Sequence, residues 1–155
     1  MKETLQLLHP VLGMLGIIAA IWVIVETVNA SQSNQNRIRI ASLVVAVLIF
    51  FTWMASGYLY VLYYTADKAI ILKGPWTFAH SFFMESKEHL FFMTLALSFL
   101  LPIVTRMKNI AESKQTRILI ISIAGLIVLS GLAIEMAGAV IALGEELGLI
   151  QHVVL

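Results

Sequence analysis

Residues 118–143 read ILIISIAGLIVLSGLAIEMAGAVIAL, interrupted by a single charged side chain, Glu135. A helix needs about 20 mostly apolar residues to cross the hydrocarbon core of a bilayer, so this stretch is a membrane span. Working outward, the chain offers three more such runs, at residues 9–28, 40–64 and 89–105. The third is the shortest and carries Pro102 near its end. It can lengthen upstream, because Gly74-Pro75 is a good helix start and residues 76–84 are again apolar and aromatic. Either one long helix or an interfacial helix leading into the span is expected there.

The whole composition agrees with this reading. Of 155 residues, 60% are hydrophobic and 12% charged, with a mean hydropathy of +0.93, and a soluble domain of this size could not hide so much apolar surface. The expected fold is all-α: one integral membrane domain over residues 1–155, a four-helix bundle in up-down-up-down order. Lys2 ahead of the first run, with Val28-Asn29-Ala30 after it, has the outline of a cleavable signal peptide. The segment is expected to be retained as the first span.

Basic residues set the expected orientation. Arg37, Arg39, Arg106, Lys108, Lys114 and Arg117 follow spans one and three, whereas Lys2, Lys68, Lys73 and Lys87 belong to the other side. The positive-inside rule then puts the arginine-bearing loops in the cytoplasm and both termini outside a bacterial or archaeal inner membrane. The long connection, residues 65–88, is outside too, and its Trp76 with Tyr58, Tyr60, Tyr63 and Tyr64 fits an interfacial aromatic belt.

Several chemistries are excluded. Without cysteine there is no c-type haem attachment, thiolate iron–sulfur cluster, disulfide or thiol nucleophile. Phosphate-binding loops and nucleic-acid motifs are absent, and a net charge of +1 gives no reason to invoke a polyanion.

The remaining chemistry lies in four histidines and one acid. His9, His80, His89 and His152 all fall on the outer side of the expected topology. His9 precedes Pro10 and heads a helical stripe with Gly13, Gly16 and Ala20, which leaves a depression for a planar macrocycle; the competing reading is close helix packing by small residues beneath an interfacial cap. His89 opens the third span at similar depth, so the pair resembles the two axial ligands of a bis-histidine haem. Its plainer reading, beside Lys87 and Glu88, is a marker of the water interface. His80 lies nine residues before His89, about half a turn away on a continuous helix, and suits a second centre, a haem propionate or a surface contact. His152, in the C-terminal tail, is the weakest ligand of the four.

Glu135 shares a helical face with Gly131 and Gly138 in the outer half of span four. An acid there relays a proton or bonds a quinone or haem edge, or else it is a neutral carboxyl bonded to Ser56, Tyr58 or Trp53. Glu26 reads as interfacial. Met14, Met54, Met84, Met93 and Met136 are scattered as core filling, although histidine and methionine together also suit copper.

The stretches LHPVLG (8–13), ASGYLY (55–60), EHLFFMTLAL (88–97) and LSGLAIEMAGAVI (129–141) resemble small bacterial four-span membrane proteins of unassigned function, some similar to b-type cytochromes. That resemblance implies histidines placed for haem, here His9 and His89. Such proteins often carry a further histidine soon after the HP pair, and residues 11–16 contain none.

The expected function is therefore a b-type cytochrome-like electron-transfer subunit rather than a stand-alone enzyme. Haem b would sit near the outer face, with His9 and His89 as iron ligands and Gly13, Gly16, Glu135 and His80 around it. It would link a membrane quinone to a periplasmic or membrane redox partner. The alternatives are a cofactor-free structural or assembly subunit and a copper-handling oxidase assembly protein.

Overall fold

The computed structural model describes the backbone of residues 2–154 and the side chains of residues 2–151. Four helices make up the chain: α1 Lys2–Val28, α2 Gln35–Lys73, α3 Glu85–Met107 and α4 Lys114–Val154. A π-helical turn, Ala79–Met84, runs directly into α3. All four are long and apolar enough to cross a membrane.

All four helices outrun the apolar stretches that announce them, α2 and α4 the most. The 39 residues of α2 span about 58 Å at 1.5 Å per residue, well beyond the roughly 30 Å hydrocarbon core. The long outer connection expected at residues 65–88 accordingly shrinks to the few residues around Gly74 and Pro75. Hydropathy locates where a helix sits in lipid and not where it ends. Beyond Tyr64 the helix is held by packing, since Ile71 is fully buried.

Each of α1 and α3 packs on both α2 and α4, and α2 meets α4 across the bundle. By contrast, α1 and α3 have no described Cα atoms within 8 Å of each other. At the end bearing the 29–34 and 108–113 loops the four helices close around a solid core that includes Val23, Ile38, Val45, Leu101, Ile120 and Ile127. Polar groups inside this half are satisfied locally. Thr94 Oγ1 donates to Ser130 Oγ at 2.7 Å, and Ser42 and Thr105 share a hydrogen bond at 3.1 Å. Interhelical bonds of this kind contribute on average about 0.6 kcal/mol in membranes. Three arginines donate to backbone carbonyls near this end: Arg39 to Thr105, Arg106 to Pro102 and Arg117 to Ala111.

At the other end α2 crosses α4 almost backbone to backbone. A Cβ on Gly74 would lie 2.9 Å from Gly148 Cα, one on Gly148 2.8 Å from Ile70 Cγ2, and one on Gly144 2.7 Å from Ala79 Cβ. Gly144 and Gly148 are thus a small-xxx-small pair used for close approach. A second cluster of Tyr64, Ile71 and Ala79, flanked by Trp76 and Met84, seals this crossing.

An intramembrane cavity as the candidate functional site

Between the solid core and the crossing the helices stand apart around a cavity of about 780 Å³. Its walls come from all four helices: His9 and Pro10 of α1, Trp53 and Tyr60 of α2, Lys87 and Phe91 of α3, Ile134 and Glu135 of α4. Val61 and Phe92, 74% and 61% exposed, also border it, so it opens sideways between α2 and α3. Pro10 has no N–H, which releases the Gln6 carbonyl from the helical ladder. Gln6 itself lines the space.

Two groups of ionisable side chains mark the cavity. At the mouth, Lys2 Nζ lies 2.7 Å from Asp67 Oδ1 and 3.7 Å from Glu145 Oε1, tying the start of α1 to the last turns of α2 and to α4. Deeper lie His9, Lys87 and Glu135. Glu135 precedes Glu145 by ten residues, about 15 Å along α4. Its carboxylate crosses to α1, where a Cβ on Gly13 would be 2.6 Å from Oε1. From the opposite side Lys87 Nζ reaches α4, 3.2 Å from where Gly138 would carry a Cβ. Absent side chains at Gly13 and Gly138 are what admit these two groups. Among the described residues Lys87 and Glu135 form no ion pair within 4.0 Å and no hydrogen bond, although no fully buried side-chain nitrogen or oxygen lacks a partner. Both side chains line the cavity, and Lys87 also borders the surface groove between α3 and α4.

The structure brings together only some of the residues singled out from the sequence. His9 faces the cavity, with its Nδ1–H donating to the Leu5 carbonyl at 3.1 Å, which leaves Nε2 as the available ring nitrogen. His89 does not join it. Its ring is exposed, donates to the Glu85 carbonyl at 2.7 Å, and borders a separate surface groove between α3 and α4 with Phe82, Phe83 and Met136. The bis-histidine pair is not formed, because Lys87, about 200° around the axis from His89, takes the inward position. His80 is engaged elsewhere, hydrogen-bonded to the Tyr64 hydroxyl at 2.9 Å. The π-helical turn beneath it changes the azimuth expected for a regular helix. His152 lies outside the described side chains.

Gly13 and Gly16 are both buried, and the depression expected above them is filled. Glu135 and Thr52 cover Gly13, and Ile49 and Leu48 cover Gly16. Ser56 donates to the Trp53 carbonyl and Tyr58 is exposed, so neither is the partner expected for Glu135. The aromatic belt is only partly a belt, for Tyr60 and Tyr63 line the cavity and Tyr64 is buried. Glu26 accepts from Asn34 and lies 3.4 Å from Arg37. Among the described residues no three histidine, aspartate or glutamate side chains converge to hold a metal ion.

Sequence reasoning passed over Lys87, Lys2, Asp67 and Glu145. A signal for Lys87 was present: Met84, Lys87, Glu88 and Phe91 follow the three-and-four spacing of one helical face. No family model, curated protein or solved structure matches this chain.

Proposed function

We propose that the chain is the quinone-binding subunit of a membrane electron-transfer system, its cavity holding the quinone ring. The carrying observation is a mainly apolar cavity, open sideways toward lipid, with one ammonium and one carboxylate facing it at depth. Its volume of about 780 Å³ lies within the usual range of small-molecule sites. The polar ring of a quinone would meet Lys87, Glu135 and His9, while its isoprenoid tail leaves past Val61 and Phe92. Ionisable groups inside a span are costly unless they serve a ligand or each other, which favours this reading over a cofactor-free spacer.

The mouth contacts, with Lys2 of α1 beside Asp67 of α2 and Glu145 of α4, support an up-down-up-down order. The arginine bias supports cytoplasmic 29–34 and 108–113 loops, and in that orientation the cavity mouth and a redox partner would lie outside.

The test is a fluorescence titration of the Trp22→Phe/Trp76→Phe variant, which keeps only Trp53 at the cavity wall. A short-chain quinone should quench Trp53 saturably, and an alkane-tail mimic without the ring should not. Quenching that rises linearly with quinone concentration overturns the reading.

One observation favours haem b as a second reading: the Nδ1 bond of His9 fixes its ring and leaves Nε2 for iron, as backbone carbonyls commonly do for metal-ligating histidines. A second axial ligand would have to be a residue other than His89. The reduced-minus-oxidised visible spectrum of the purified protein decides it.

A further inference from the structure

We propose that Lys87 and Glu135 let the site distinguish the redox states of its occupant, Lys87 binding the oxidised quinone and Glu135 the reduced hydroquinone. This rests on the quinone reading above. The two groups approach the cavity from opposite sides, Lys87 from α3 over Gly138 and Glu135 from α4 toward Gly13 of α1. Residues 135 and 138 are about 4.5 Å apart along α4, so the two groups enter the cavity within about one helical turn of each other. They remain more than 4.0 Å apart, with no described hydrogen bond to any side chain between them.

Their chemistry is complementary. An ammonium only donates and a carboxylate only accepts. The oxygens of an oxidised quinone only accept, so they can be bound by Lys87 and are repelled by Glu135. A hydroquinone hydroxyl donates, which gives Glu135 a partner. The other cationic side chain on the cavity wall, Lys2, is already paired with Asp67 beside Glu145, about 10 to 15 Å from the two groups along α4, and does not compete.

The experiment measures dissociation constants of the purified protein for a short-chain quinone and, anaerobically, for its hydroquinone. Lys87→Met should weaken the oxidised form about tenfold and the reduced form less than threefold, and Glu135→Gln should do the reverse. A tenfold change corresponds to about 1.4 kcal/mol, within reach of one charged hydrogen bond. Gly138→Ala and Gly13→Ala provide a second pair that retains both charges but displaces them, since the new methyl groups would crowd Lys87 Nζ and Glu135 Oε1. They should reproduce the two selectivities in weaker form, and they carry the test if the charge variants do not accumulate. Equal losses for both forms in every variant overturn the inference while leaving a quinone site. Absence of binding of either form to the unaltered protein overturns the functional reading itself.

Discussion

A Cβ on Gly16 would come 2.8 Å from Ile49 Cδ1, whereas one on Gly125 meets nothing within 4 Å. Gly16→Leu should therefore lower stability by about 1–3 kcal/mol through overpacking, with Gly125→Leu close to neutral. Detergent-solubilised thermal melts of the two variants compare them directly. Tyr64 makes a second, milder case. Its hydroxyl bonds His80 at 2.9 Å beside the buried cluster, so Tyr64→Phe should cost about 1 kcal/mol in the same assay. How far the site is legible from sequence is also decided residue by residue. The half-buried acid Glu135 and the inward His9 are visible as polar interruptions of apolar runs. Lys87 is harder to see: its spacing with Met84, Glu88 and Phe91 marks a helical face, but among Glu85, Glu88 and His89 hydropathy registers only a polar segment. The direction each side chain takes depends on the azimuth of α3, which the neighbouring helices and the π-helical turn determine.

At the scale of elements, the existence of four apolar helices follows from composition and run length, and their ends do not. The last turns of α2 and α4 are stabilised by a crossing that needs Gly74, Gly144 and Gly148, three residues that look like loop or tail signals when read locally. Gly148→Leu should open this crossing, because its Cβ would lie 2.8 Å from both Ile70 Cγ2 and the Ile70 carbonyl oxygen. The expected outcome is early proteolysis near Gly74 with spans one and three still protected; unchanged cleavage would mean that the crossing does not hold this end together. The π-helical turn offers an independent check. Deleting Ser81 should restore regular α-helical winding and rotate His80 by about 100° relative to α3, breaking its bond to Tyr64 while helix content by circular dichroism stays the same.

For the whole molecule, the bundle is solid at one end, closed by the α2–α4 crossing at the other, and hollow between them. The solid half has tight apolar packing and neutral hydroxyl pairs, and the hollow half concentrates charge: Lys2, Asp67, Lys87, Glu135 and Glu145 all lie there. This asymmetry is partly legible in the sequence as acids and lysines gathered toward one side of the spans and arginines toward the other. The cavity is not, since it depends on how all four helices are placed against one another, which no single helix encodes. Reporter fusions after residues 33 and 111 should report cytoplasm and one near residue 70 the outside; the inverse pattern would turn the mouth of the cavity inward. The most direct measurement of the central claim is photolabelling with an azido-quinone in native membranes, followed by peptide mapping. Labels should fall on the peptides bearing Trp53 to Tyr64 and Lys87 to Phe92, and excess unlabelled quinone should remove them. Labels confined to the solid half, or indifferent to competing quinone, would contradict the account.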